Sequence, residues 1–318
     1  MKSISDLEKE IRDFINDPRK QYALLQNNAA WNMLCSCLDL IGDTELSITA
    51  YDQAPQPEDW GGRYLLVYGI LQTLFMQQDA VRNLCEALSI QYIPDAELDQ
   101  IREIRNDSVG HPTRRGGGLG RAFNFISRAT LSKTGFDLMT AYPAGQSPLF
   151  RHIDIPSLIK KQQTILNQAL AAVVEKLKTE EAEHKAMFKS DRLQDVFPSV
   201  LHYYFEKIYE AIHGNKPVAL GSMHVKLINE IIDSFKIKLA SRGILKAYDS
   251  INYLLELLEY PIVQLTSYFA GASGSSILDS KNAYIFAFFV EKHLAELKEL
   301  AEEIDADYEA TDTKRTPG

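Results

Sequence analysis

Apolar residues spaced three and four apart, interrupted by segments bearing proline and glycine, dominate the chain and read as amphipathic helices. The first is expected over residues 3–17, capped by Ser5 or Asp6, with Leu7, Ile11, Phe14 and Ile15 on one face and Asp17-Pro18 as its stop. A second runs from about Tyr22 to Ala50, with a bend at Gly42-Asp43, and the proline- and glycine-bearing stretch from Gln53 to Gly62 reads as a loop. The most regular pattern spans Arg63 to Leu88, where Tyr64, Val67, Leu71, Leu74, Phe75, Val81 and Leu84 recur in helical steps. Gln72, Gln77, Gln78 and Asp79 interrupt this helix with polar groups, and at least one of them must face the core and find a partner there. A short helix from Pro94 to Glu103 follows.

Beyond residue 111 the pattern changes. Gly116 to Gly120 is a flexible glycine run, and Phe123–Ile126, Ala129–Leu131 and Phe136–Met139 are short alternating runs that predict a β-hairpin or small meander. Ala144 to Pro148 is a turn, and a long helix returns from Pro156 to about Ala186, its charged end from Glu175 to Lys185 facing solvent. Helices are expected again over 193–213, 217–240, 244–270 and 280–304, with a loop over 271–276. The fold class is mainly α: a helical domain over 1–189 with a β insertion near 120–155, a boundary at Ser190-Asp191, a second helical domain over 190–304, and a disordered tail over 305–318. Tyr284, Phe286, Phe288 and Phe289 lie on a helix apolar nearly all round, which is expected to form the centre of the second domain, with a dimer interface as the alternative.

Composition adds limits. No stretch of 18 or more apolar residues exists and the N-terminus alternates charges, so the expectation is a cytoplasmic protein with no membrane span. Cys35, Cys37 and Cys85 are sparse and lie in apolar helical patterns, which predicts reduced core thiols. A formal charge of −9 argues against a surface that coats nucleic acid throughout. Yet Arg102, Arg105, Arg114, Arg115, Arg121 and Arg128 face only Glu103 and Asp107 over the same span, a basic island on an acidic chain.

That island contains the stretch with the most chemistry in it, Ile101 to Thr113. Leu98, Ile101, Ile104 and Val109 give it a buried side, and Gly110 and Pro112 break the helix, so Arg105 and His111 flank a helix terminus. Arginine grips phosphate bidentately and histidine exchanges protons near neutrality, a pairing suited to phosphodiester chemistry. Arg105, followed by the polar Asn106 and then by His111, resembles the R-x4-6-H signature of the HEPN superfamily of α-helical bundles. The resemblance covers residues 20–188 at most. It implies a HEPN-type helical bundle and a metal-independent RNA endonuclease of toxin or defence type, with no cofactor. Its site is formed by Arg105, Asn106 and His111 from two protomers of a homodimer, and a protein inhibitor or antitoxin is a further partner. In this scheme the RNA 2′-hydroxyl is the nucleophile, His111 acts as general base or acid, and Arg105 stabilises the charged phosphate. Arg102, Arg114, Arg115 and Arg121 are the candidate substrate-binding residues.

The competing expectation is a noncatalytic helical protein that binds nucleotide or RNA, or a scaffold. There Arg105 pairs with an acid such as Asp107 or Asp79, and His111-Pro112 merely turns the chain. Three other motifs are set aside. The run from Arg115 to Arg121 follows no buried strand and lacks the lysine of a phosphate-binding loop. Glu181, Glu183 and His184 imitate metal-ligand spacing on what reads as solvated surface, and His202 and His213, among tyrosines, read as a helix packing surface.

Overall fold

The computed structural model describes residues 2–116, 121–142, 147–271 and 279–310. It is mainly helical with one small antiparallel sheet. The core of the glycine run, most of the turn expected at 144–148, the loop at 272–276 and the tail from 311 lie outside the described residues. No helix among the described residues is long and apolar enough to cross a membrane. The chain divides into two compact units, Met1–Asn16 with Leu24–Lys178, and Asp17–Ala23 with Thr179–Gly318. The division therefore falls at Lys178, inside a helix, and not at Ser190.

The first unit holds α1 (Ile4–Ile15), α3 (Asn28–Gln53), α4 (Trp60–Ala87), α5 (Ala96–Arg105) and most of α6 (Ile155–Phe188), while α2 (Pro18–Leu25) straddles the division. Ser3, not Ser5 or Asp6, caps α1 in a reciprocal box with Asp6. Gly42 causes no interruption, for α3 continues through it. The expected loop ends early: Asp59 accepts a 2.8 Å bond from the Gly62 amide, so Trp60, Gly61 and Gly62 form the first turn of α4.

The buried faces of these helices converge on one core that includes Leu38, Ile41, Leu71, Leu74, Val81, Leu84, Ile101 and Leu166. Of the polar residues on α4, Gln77 and Gln78 are the buried pair. Gln78 donates to Gln162 (2.7 Å), Gln162 donates to Gln77 (2.9 Å) and to the Leu74 carbonyl (3.0 Å), and Gln77 donates to Glu45 (2.7 Å). Cys37 and Cys85 are buried thiols and Cys35 is half-buried, all unpaired. Burial pushes the Cys85 thiol up to about 11, which keeps it protonated and inert.

The sheet is a meander in the order β1 (Phe123–Ile126), β2 (Gly135–Ala141), β3 (Leu149–Asp154), antiparallel throughout. Ala129–Leu131 is not a strand. It is the turn that leads to β2, and the third strand is Leu149–Asp154, which pairs Asp137 with His152 across the ladder. Two cations fasten this connection to the helices. Lys133 Nζ donates to the carbonyls of Asp52 (2.9 Å) and Ala54 (2.6 Å), and Arg63 reaches the carbonyls of Pro57 (2.9 Å) and Leu131 (3.3 Å).

The second unit packs α7 (Leu201–Ile212), α8 (Val218–Ser241), α9 (Asp249–Phe269) and α10 (Ser280–Glu309) around Phe205, Phe235, Leu258 and Leu294. Its α10 corrects two expectations. Residues 305–309 are helix, not tail: Asp305, 2% exposed, accepts from the Leu193 and Gln194 amides (both 2.9 Å) and pairs with buried Arg242 (3.2 Å). The aromatic residues of α10 also do not form the centre. Ala283, Ala287 and Val290 take the buried side, Tyr284 and Phe288 face outward, and Phe286 and Phe289 are half-buried. Small residues let helix axes approach closely, so they occupy the contact and displace the aromatics to its margins. His184 is likewise not solvated surface. Its Nε2 lies 2.9 Å from the Tyr308 hydroxyl and its ring packs on Phe188, and burial lowers its pKa to about 4. His202 departs the other way, exposed beside Glu291 and Glu206, whereas His213 packs on the Tyr284 ring.

Candidate functional site

Asp95 caps α5 by accepting from the Glu97 (2.8 Å) and Leu98 (3.3 Å) amides. Glu97 and Asp99 at its start and Arg102 and Arg105 at its end complement the helix dipole. Leu98, Ile101 and Ile104 bury one face of α5 against α4 and leave the two arginines on its flank. The helix then widens into one turn of π-helix, Asn106–Gly110, closed by the His111 amide donating to the Asn106 carbonyl at 2.7 Å. Pro112 disfavours helical backbone at the preceding residue, and His111 leaves the turn at φ −141°, ψ 47°.

Three neutral contacts fix the Arg105 side chain. Its Nε and Nη2 donate to Gln72 Oε1 (2.9 and 2.7 Å), its Nη1 donates to Asn106 Oδ1 (3.0 Å), and its guanidinium lies over the Phe75 ring, 4.2 Å from the centroid. The acids of the competing expectation are engaged elsewhere. Asp79 accepts from Arg102 (2.9 Å) and Arg82 (3.0 Å), and Asp107 pairs with Arg115 (2.9 Å) and Arg151 (3.4 Å). Arg105 therefore carries a positive charge that no carboxylate offsets among the described residues, and two of its five N–H donors remain for a ligand. Gly110 presses against it: a Cβ at that position would stand 2.6 Å from Arg105 Nη1. Gly110 has no left-handed backbone, so its small size serves this close approach. His111 is exposed, and its imidazole makes no hydrogen bond or ion pair among the described residues.

Arg105, Asn106 and His111 are thus tied into one knot by a side-chain bond, a backbone bond and a close glycine contact. The four arginines expected to bind substrate are not equivalent. Arg102 is spent on Asp79 and also lies over the Phe75 ring (4.1 Å), and Arg115 is held by Asp107 and Glu103. Arg114 is exposed, and Arg121 is half-buried with its Nε unpartnered. Arg128, outside the expected set, is exposed without an ion pair among the described residues.

Beside the knot opens a cleft of about 710 Å³. Tyr64 and Tyr68 of α4, with ring centroids 5.5 Å apart, line it together with Phe123, Phe125 and Ile126 of β1. Asp107 and Ser108 of the π-turn, Pro112, Thr113, Asn124 and Arg128 complete it. Arg105 and His111 are not in its lining. Ser108 is 2% exposed and its hydroxyl has no partner. Asn124 is also buried, accepts from Thr140 Oγ1 at 2.7 Å, and donates only to Asp107 at 3.5 Å, the limit of a hydrogen bond. Partial burial, and then Tyr64, push the Tyr68 phenol up, so it stays protonated.

The sequence shows Gln72 and Phe75 as parts of a helical pattern and Gly110 as a helix breaker, but it assigns none of them to the site and does not show the cleft. A signal for the first two exists: Gln72, Phe75 and Asp79 are spaced as one stripe of α4, and Arg102 and Arg105 as the matching stripe of α5. Comparison with protein-family models, curated proteins and solved structures finds no match to this chain.

Proposed function

We propose that this chain is a HEPN-type, metal-independent RNA endonuclease of the toxin or defence kind, acting in the cytoplasm as a homodimer subject to a protein inhibitor. Its composite site is built from Arg105, Asn106 and His111 of two protomers. The observation that carries the reading is the Arg105 guanidinium, immobilised by Gln72, Asn106 and Phe75 without an offsetting acid, on the same turn as an exposed histidine. A merely structural arginine gains most from a carboxylate partner, and two carboxylates in the neighbourhood are committed to other cations.

In the reaction the RNA 2′-oxygen attacks the adjacent phosphorus as one His111 removes the 2′-proton. The P–O5′ bond breaks, and a second His111 protonates the departing 5′-oxygen, leaving a 2′,3′-cyclic phosphate and a 5′-hydroxyl. Arg105 donates to the non-bridging oxygens as charge gathers there, and Asn106 holds the guanidinium in place. The two copies supply the base and the acid that a single His111 cannot be at once.

The test is incubation of the protein with structured RNA in the presence of a chelator. Cleavage to cyclic-phosphate ends, lost in Arg105→Ala and His111→Ala while circular dichroism is unchanged, is the expected result. Specific activity should also rise with protein concentration as dimers form. Equal cleavage by the wild type and both variants would overturn the assignment.

A further inference from the structure

We propose that the cleft between α4 and β1 is a nucleobase subsite, in which one base of a single-stranded RNA segment flanking the cut stacks against Tyr68 and Phe125 and is read at its edge by Ser108 and Asn124. This rests on the ribonuclease reading for the identity of the polymer. The cleft itself rests on separate observations.

Aromatic rings of α4 and β1 line the cleft, and base–aromatic stacking is the sequence-tolerant part of single-strand binding. Tyr68 and Phe125 are 40% and 52% exposed, so both present ring surface to a ligand and not to the core. The lining also holds two buried polar side chains, Ser108 and Asn124, whose hydrogen bonding is incomplete. A buried hydroxyl without a partner is rare in folded proteins, and the same lining holds an amide whose only acceptor stands at 3.5 Å. A base edge carrying acceptors satisfies both, as base edges are read in single-stranded RNA. The volume falls in the range of small-ligand clefts, roughly 300–1,000 Å³. Arg128 at the lining, exposed and unpaired among the described residues, is available to the sugar–phosphate backbone.

Position joins the cleft to the proposed chemistry. Ser108 and His111 are three residues apart, so their backbones are separated by no more than about 11 Å, and the π-turn that presents Ser108 to the base also carries the catalytic knot. A strand with its phosphodiester on Arg105 and His111 has a neighbouring nucleotide within reach of the cleft.

The experiment measures fluorescence anisotropy of a labelled, 2′-O-methylated and hence uncleavable RNA hexamer against wild type, Phe125→Ala, Tyr68→Ala and Arg105→Ala. Each position of the hexamer is made abasic in turn. Both aromatic substitutions are at exposed rings, and circular dichroism checks that the fold persists. Binding should weaken about tenfold in Phe125→Ala and in Tyr68→Ala, the order of one base stack. One abasic position should cost the wild type the same factor and cost Phe125→Ala nothing further. Unchanged affinity in both aromatic variants, or equal losses for wild type and variant at every abasic position, overturns the subsite even if Arg105→Ala abolishes cleavage. Conversely, aromatic-dependent binding in a protein that cleaves no RNA supports the subsite and defeats the ribonuclease reading alone.

Discussion

Gly110→Ala separates the site from the fold. The added methyl would stand 2.6 Å from Arg105 Nη1 and 3.4 Å from both Arg105 Cζ and Asn106 Oδ1, so the guanidinium must retreat about 0.8 Å to reach ordinary contact. Directed away from the methyl, that retreat stretches the 3.0 Å bond from Nη1 to Asn106 to about 3.3 Å and weakens it. Arg105 is half-buried, so water replaces part of what is lost, and a cost of about 1 kcal/mol is expected. Alanine in a helical turn returns most of it, up to about 1 kcal/mol. Net stability should therefore change by less than about 1 kcal/mol, while RNA cleavage falls about 100-fold, because a displacement near 1 Å in a positioned group has that effect on rate. Urea denaturation and initial cleavage rates measure the two. A direct readout is the Arg105 Nε–H resonance, which should shift. Gly69→Ala is the control: its Cβ meets nothing within 4 Å, and it should stabilise α4 without touching cleavage. Full activity with an unshifted Arg105 resonance in Gly110→Ala would refute the reasoning, as would a protein that no longer folds.

Gln72→Glu keeps the geometry of the Arg105 contacts but supplies the missing negative charge, so cleavage should drop at least tenfold while thermal stability holds or rises; undiminished cleavage would show that the uncompensated charge is irrelevant. Asp305→Ala strands a buried guanidinium and should cost the second unit about 3–5 kcal/mol, whereas the joint change with Arg242→Met should recover most of it, both read by amide hydrogen exchange in α10. His184, with its folded pKa lowered from 6.5 to about 4, is held neutral. The unfolded chain takes up the proton first as pH falls, so this contribution is complete above pH 6.5 and is lost as pH drops towards 4, by at most about 1.4 kcal/mol per pH unit. His184→Gln should flatten that slope in the hydrogen-exchange protection of α10; an unchanged slope would contradict the assignment.

The long helices were legible because each buries one face, and a face leaves a three-to-four-residue rhythm in the sequence. The rhythm misleads where packing is decided by size: on α10 the alanines are inside and the aromatics outside, which hydrophobicity alone reverses. The strand Leu149–Asp154 escaped notice because five of its six residues are exposed and no alternation marks it, while Ala129–Leu131 drew the strand assignment with a single buried leucine. At the candidate site, Arg105 and His111 stand out by residue type and spacing. What holds Arg105 does not, since Gln72 and Phe75 come from another helix and Gly110 contributes by having no side chain. The cleft is less legible still, because its lining comes from α4, the π-turn and β1, which are far apart in sequence.

The single π-turn also bears on how tolerant this region is to insertion and deletion. An α-turn would place each residue over the one four before it. The wider ring places His111 over Asn106, five before it, and so keeps the histidine beside the residue that orients Arg105. Losing one residue, Val109 for example, would let the turn close as an α-ring and still bring the histidine over Asn106, since the shorter ring absorbs the shorter spacing. Here the number of residues between arginine and histidine is a property of ring size at a helix end, and a gap of one residue in an alignment through this turn need not signify a displaced histidine.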